Sequence, residues 1–232
     1  MKPVIGIVAK PTEKYPEDIW YRMDIADEIR YLIVQNGGIA INILPTDKTM
    51  IFNDNDICDS KELTEEEKND LYQIVDRCNG LVLQGGLVSC KYEIEAAKRA
   101  IELNIPIIGI CAGFNNILRA VGTDVIEDKT GSHDYYDINY RHNITFEKDT
   151  VMYEIVGKER MQVNSIHSMI AKKEIIENFV KVSAYSDDGL VESFELSEKK
   201  FVLGIKWHPE LMMTDGSTQR LFKRFVDECI LK

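Results

Sequence analysis

Two short segments of this chain carry residue types that can do covalent chemistry. In "PIIGICAGFNNIL", Cys111 closes a β-prone run, has Gly109 and Gly113 two positions to either side, and precedes a helix-like stretch. A nucleophile on a tight strand-to-helix turn is forced clear of the sheet, at the carboxyl end of the strands where ligands bind. The helix N-terminus that follows offers unpaired N–H groups and a partial positive charge, which favour thiolate over thiol. The N–H of Ala112 can point at an oxyanion. The second segment, "VLGIKWHPE", ends an apolar run with His208, Pro209 and Glu210. Proline stops a regular ladder there, so imidazole and carboxylate can both project from a turn. A carboxylate so placed holds the ring in one tautomer and stabilises its charged form. Taken singly, the first segment reads equally well as a small buried thiol, and the second as a surface turn with an incidental carboxylate. Together they offer a nucleophile, a base and an orienter.

Such a turn needs a strand before it and a helix after it, and the rest of the chain predicts a sheet around it. Strands are expected at Val4–Val8, Ile39–Leu44, Leu81–Leu83 and Ile107–Ile110. Between them lie helical spacings: Asp18–Gln35, with Ile25, Ile29, Leu32 and Ile33; a segment from Thr64 continued by Leu71, Ile74, Val75 and Cys78; and one marked by Ile94, Ala97, Ala100 and Ile101. Thr64 and Glu67 form a capping box, and Gly37-Gly38 stops the first helix. Apolar strands alternating with helices predict a parallel sheet covered on both faces. After about Glu127 the pattern changes to short alternating runs at Ile138–Phe146, Met161–Asn164, Val180–Tyr185 and Leu190–Leu196, with "DDGL" as a turn. Phe201–Trp207 returns to a buried strand and Ser217–Ile230 closes as a helix. The fold class is therefore α/β, with three layers, a mostly parallel central sheet and a partly antiparallel second half. A single domain over residues 1–232 is expected.

Composition narrows the function classes. At 232 residues and 44% hydrophobic content the chain can fill one substantial core. A net charge of −11 and a pI near 4.9 argue against unaided binding to nucleic acid or anionic membrane. The opening "MKPVIGIVAK" reads as a strand, too short for a signal peptide or a membrane span. The five cysteines, Cys58, Cys78, Cys90, Cys111 and Cys229, contain no CxxC pair, so neither a disulfide framework nor a zinc pattern is expected. A reducing cytoplasm is the expected home. No spacing in the sequence suggests a metal cluster.

GICAG followed about a hundred residues later by GIKWHPE resembles the class I glutamine amidotransferase-like superfamily, whose sheet is flavodoxin-like. Within it the chain is most similar to the γ-glutamyl hydrolases, including the γ-glutamyl-γ-aminobutyrate hydrolase type. "KPVIGIV", "GLVLQGG", "HNITF", "VNSIHS" and "VSAYSDDGLVESFE" match family segments in the right order, so the likeness covers nearly the whole chain. It implies Cys111 as nucleophile, His208 as general base and then acid, and Glu210 as orienter. It implies an oxyanion hole of backbone N–H groups from Gly85 and Gly86 together with Ala112. Ser165 and His167 match the substrate-side segment, and Asn115 stands where amidotransferases usually carry Gln. "CAGFNN" is closer to the CxGF pattern of γ-glutamyl hydrolases. The chain departs from the γ-aminobutyrate type in several places. Glu93 matches, but Ser89 and Cys90 replace an Arg-Asp pair, Ser168 replaces a second His, and the segment after Gly86 is shorter. His142 is assigned to a strand without a chemical role, and His133 to a loop, "GSHDYY", able to rim the pocket.

The implied reaction is hydrolysis of a γ-glutamyl amide through a thioester on Cys111, without metal or organic cofactor. The implied partner is a small-molecule γ-glutamyl substrate, with neither nucleic acid nor membrane, and a homodimer is compatible with it. A glutaminase subunit that passes ammonia to a separate synthetase is the alternative. A non-catalytic binding protein of the same fold is a third reading.

Overall fold

A computed structural model describes residues 1–12, 19–20, 22–48, 62–86, 90–131, 133 and 139–230. Nine strands from both halves of the chain share one sheet. They are Val4–Val8 (β1), Ile39–Ile43 (β2), Gly80–Leu83 (β3), Ile107–Ile110 (β4), His142–Phe146 (β5), Arg160–Val163 (β6), Lys181–Ser186 (β7), Val191–Glu195 (β8) and Val202–Ile205 (β9). Their order is β2-β1-β3-β4-β9-β8-β7-β5-β6. The first five in that order run parallel, and the rest join antiparallel. Five of the nine strands thus run parallel and the second half is partly antiparallel, as expected, because the return strand β9 inserts next to β4 and leaves the three hairpin-type strands and β6 beyond it.

The alternating period of the strands sends their side chains into two cores. On one face Leu81, Leu83 and Ile107 pack with Leu71 and Val75 of the helix Glu65–Val75 (α2), Ala96 and Ala100 of Lys91–Glu102 (α3), and Phe114 and Ile117 of Ala112–Ala120 (α4). On the other, Ile5, Ile7, Ile108 and Leu203 pack with Ile29 and Leu32 of Asp27–Gln35 (α1), and with Phe222 and Phe225 of the closing helix Gly216–Ile230. Three layers result, as the apolar runs require. Thr64 caps α2 as its sequence predicts: its side chain accepts from the Glu67 amide and Glu67 reaches back to the Thr64 amide. Among the described residues no helix is long and apolar enough to cross a membrane.

The first helix starts at Asp27, not at Asp18, which lies outside the described residues. Met23–Asp24 instead pairs antiparallel with Lys10–Pro11. Gln84, at the end of β3, fastens this junction. Its Nε2 donates to the Val8 and Asp24 carbonyls at 3.0 and 2.8 Å, and its Oε1 accepts from the Ala26 amide at 2.9 Å. A helical spacing cannot reveal that its first residues are claimed by a distant side chain. The Ile138–Phe146 run is a strand only from His142, and residues 134–138 lie outside the described set.

The turn after β4 is packed to the limit. A Cβ on Gly113 would meet the Leu83 carbonyl oxygen at 2.0 Å, and one on Gly109 would meet the Gly113 carbonyl oxygen at 2.6 Å. Only glycine lets α4 start this close to β3 and β4. Gly113→Ala is therefore expected to destabilise the fold by about 1–3 kcal/mol. The loss should be read as a lower urea midpoint at unchanged slope. An unchanged midpoint would contradict this packing.

Candidate active site

β4 and β9 are neighbours, with Ile110 opposite Ile205. The ladder runs one step further, since the Cys111 amide donates to the Ile205 carbonyl at 2.8 Å. Cys111 then leaves the strand at φ 51, ψ −100, a region that a residue with a Cβ seldom enters. This strained turn puts the thiol at the first turn of α4 and at the carboxyl end of the parallel strands, as the glycine spacing predicts. On the β9 side the chain runs through Lys206 and Trp207 to His208, and Pro209–Met212 forms a 3₁₀ turn. The turn returns the Glu210 carboxylate to the ring, with Nδ1 of His208 and Oε1 of Glu210 2.7 Å apart. That contact leaves Nε2 as the ring nitrogen available to the thiol, and the charges of the two side chains act on each other. Asn164 locks the histidine backbone by accepting from its amide and donating to its carbonyl, both at 2.8 Å.

The electrostatics favour an ion pair. Burial alone would raise the Cys111 thiol, but the charge of His208, its hydrogen bond and the Lys206 ammonium outweigh burial and bring the thiol below the ordinary 9.0. Burial would likewise lower His208. The Cys111 thiolate and the Glu210 carboxylate overcome it and hold the imidazole well above its usual value. Each half of the pair stabilises the charged form of the other. The other described cysteines have no such partner: burial pushes Cys78 up to about 11, and Cys90 and Cys229 up to about 12.

Gly85 lies directly against this pair. A Cβ there would meet Cε1 of His208 at 2.4 Å and Cβ of Cys111 at 3.5 Å. Gly86 has φ +148, and a Cβ on it would meet the Lys10 side chain at 2.6 Å. Lys10 in turn pairs with the fully buried Glu93 at 2.7 Å. Glu93 also accepts from the Cys90 amide at 2.8 Å, which caps α3. The residue that matches the γ-aminobutyrate subfamily thus braces the glycine turn here. Ser89 lies outside the described residues.

Asn115, Ser165 and His167, the side chains expected at the substrate, are buried and have partners within the protein. Asn115 accepts from the Lys206 ammonium at 2.8 Å. Ser165 donates to the His133 carbonyl at 2.8 Å, and the His167 ring lies 3.2 Å from the Met169 carbonyl. What that segment presents to the thiol is backbone: the Ile166 carbonyl lies 3.8 Å from the Cys111 sulfur. His133 does not rim a pocket either. It is 4% exposed and packs against the rings of His142 and His167.

Lys206 is the residue that motif reading passes over. It is 1% exposed, its ammonium sits 5.0 Å from the centroid of the Phe114 ring, and burial brings its pKa down to about 8. A signal was present in the sequence: a lysine inside the apolar run "VLGIKW", two positions before His208 and so on its side of the strand.

The peptidase C26 family matches residues 90–210, over half of the chain and the part that holds Cys111, His208 and Glu210. A protein of Rickettsia prowazekii described as glutamine amidotransferase-like is 26% identical over 97% of both chains. The γ-glutamyl-γ-aminobutyrate hydrolase PuuD of Escherichia coli is 28% identical over 56% of each chain. Among solved structures, the glutaminase domain of Trypanosoma brucei CTPS with bound acivicin superposes with a TM-score of 0.66 at 17% identity, covering 99% of this chain and 94% of that one. A glutamine amidotransferase from Thermotoga maritima gives 0.59 at 14% identity, covering 98% and 84%. At these identities the structures establish the fold, a class I glutamine amidotransferase fold with a mixed central sheet.

A thiol below its ordinary value is half thiolate at a lower pH, so its alkylation should level off below pH 9. Peptide mapping after limiting iodoacetamide should find Cys111 labelled first. His208→Ala removes the opposing charge and leaves burial, so the midpoint of the rate against pH should move up. Preferential labelling of Cys229, or of Cys58 outside the described residues, would contradict this electrostatic account.

Proposed function

The chain belongs to the peptidase C26 family, and on that premise we propose that it is a cysteine-dependent hydrolase of γ-glutamyl amides. The observation that carries the reading is the Cys111 turn, strained at φ 51, with its thiol in the field of a histidine that Glu210 holds at 2.7 Å. A buried cysteine that was only packing would need neither the strain nor the partner. The name of the PuuD relative supports the γ-glutamyl class of substrate.

The reaction is two-step acyl transfer. The Cys111 thiolate adds to the γ-carbonyl carbon, and the carbonyl electron pair moves onto oxygen. Backbone N–H groups of the Gly85-Gly86 turn and Ala112 hold that oxyanion. The oxyanion collapses, the C–N bond breaks, and the His208 imidazolium gives its proton to the leaving amine. Water, deprotonated by the same ring, then adds to the γ-glutamyl thioester, and glutamate leaves as the thiolate reforms. Glu210 keeps Nδ1 protonated throughout, so Nε2 is the nitrogen that exchanges the proton. Lys206 stabilises the thiolate from behind, and Asn115 holds the Lys206 ammonium.

The triad should fail unequally. Cys111→Ala and His208→Ala should each remove nearly all turnover, whereas Glu210→Gln should retain more. Adding Glu210→Gln to Cys111→Ala should change little, because the three act as a unit. Across a panel of γ-glutamyl amides, a conjugate of a small amine or amino acid should exceed glutamine in kcat/KM by about tenfold or more, about 1.4 kcal/mol in the barrier. Such a substrate gains leaving-group contacts that glutamine cannot make. Glutamine as the better substrate, or turnover only with a second protein present, would favour a glutaminase subunit instead. Full activity in Cys111→Ala would overturn the triad.

A further inference from the structure

Four side chains from separate parts of the chain meet in the antiparallel half. His133 comes from a loop, His142 opens β5, His167 follows β6, and Glu192 lies on β8. Glu192 is fully buried, and neither of its carboxylate oxygens has a hydrogen-bond partner among the described residues. Nε2 of His142 is also buried without one. Leaving a buried carboxylate unpaired is costly, so the group calls for a partner.

The geometry says what kind. Oε1 of Glu192 lies 3.5 Å from Nδ1 of His133, 3.6 Å from Nε2 of His167 and 3.9 Å from Nε2 of His142. These separations are long for hydrogen bonds. They approach the edge of a tetrahedron whose metal–ligand bonds are about 2.0–2.1 Å, roughly 3.3 Å. The ligand atoms of His133, His142 and Glu192 all lie within 4.8 Å of one another. The outer nitrogens of two rings have their own acceptors: His133 Nε2 meets Asp188 at 2.9 Å, and His167 Nδ1 meets the Met169 carbonyl at 3.2 Å. With the protons placed there, both rings present lone pairs inward, and a carboxylate or carbonyl behind the imidazole is the usual support of a metal-binding histidine. The nearby Ser165 hydroxyl, 3.3 and 3.4 Å from the inward nitrogens of His133 and His167, has one proton, and the His133 carbonyl is its nearest acceptor at 2.8 Å. The inward nitrogens of His133 and His167 thus converge with the Glu192 carboxylate as acceptors, an arrangement that a cation satisfies.

We propose that His133, His142 and Glu192 bind one zinc-class divalent cation, with the fourth position open towards His167. Two imidazoles and a carboxylate in a small buried space suit zinc rather than calcium or magnesium, which require more oxygen ligands or retained waters. The ion would tie the His133 loop to β5 and β8. It would also steady the segment that sets the Ile166 carbonyl 3.8 Å from the thiol. Sequence spacing could not reveal it, since the ligands stand at 133, 142 and 192 with no short motif joining them.

The test uses the full chain carrying Cys111→Ala and no histidine tag, so that neither the catalytic thiol nor the tag can hold the metal. After dialysis against zinc and gel filtration, elemental analysis should find about one zinc per chain. Glu192→Gln and His142→Ala in that background should each weaken binding tenfold or more. Cobalt(II) added to the Cys111→Ala chain alone should give the visible bands of a four-coordinate site without a sulfur charge-transfer band, a readout that needs no change within the cluster. No retained zinc together with no such bands would mean that a proton fills the space, and would overturn the proposal. Zinc retention unaffected by both cluster variants would overturn it equally. Because the chain tested has no nucleophile, either result is independent of the γ-glutamyl reading.

Discussion

The hydrogen bond from the Cys111 amide to the Ile205 carbonyl, 2.8 Å, is the contact on which the site depends. It extends the β4–β9 ladder past the last paired residues and so decides where two distant segments sit relative to each other. With Ile110 opposite Ile205, the residue after each is also adjacent, which brings the thiol beside Lys206 and then His208. Parallel strands with their carboxyl ends aligned are the only part of this sheet where a nucleophile, its base and a helix N-terminus can converge. The glycines serve that convergence. Gly113 lets α4 begin against the Leu83 carbonyl, and Gly85 leaves space for the His208 ring.

Burial sets the energetics. The thiol, the Glu210 carboxylate and the Lys206 ammonium are buried and the imidazole is mostly so, and each charge alone would be disfavoured. Positive and negative groups offset one another, so the charged forms of the thiol and the imidazole are favoured beyond what burial alone would allow. The same low dielectric raises the value of each pairing and the cost of breaking it. Groups held this way need little reorientation, because the polar environment around them is already fixed.

The antiparallel half has a different task. β8 carries Glu192 beside Lys206, with the Lys206 amide donating to the Glu192 carbonyl at 2.8 Å. Burial pushes the Glu192 carboxyl up to about 7, against the opposing pull of the surrounding histidines and Lys206. Two buried polar groups thus adjoin, Cys111 with His208 and Glu210 in one and the histidines with Glu192 in the other. Lys206 lies between them and feels both Cys111 and Glu192.

Much of this was legible in the residues. Local chemistry offered the elbow at Cys111 between Gly109 and Gly113, and the His208-Pro209-Glu210 segment tipped the reading away from a merely buried thiol. It identified the capping box at Thr64, the strand at Ile107–Ile110 and the histidine–proline–glutamate turn, because each depends on neighbours within a few positions. What the sequence could not determine were contacts across the sheet. Gln84 claims the residues before Asp27 and shortens a helix that periodicity extends. Asn115, Ser165 and His167 turn inward because partners near in space but far along the chain accept them: Lys206, His133 and the histidine group. Hydrophobic period and turn chemistry act over a few residues, so they dictate elements and the residues at their ends. Which buried polar groups face one another depends on strand order and register, and only the folded sheet decides those.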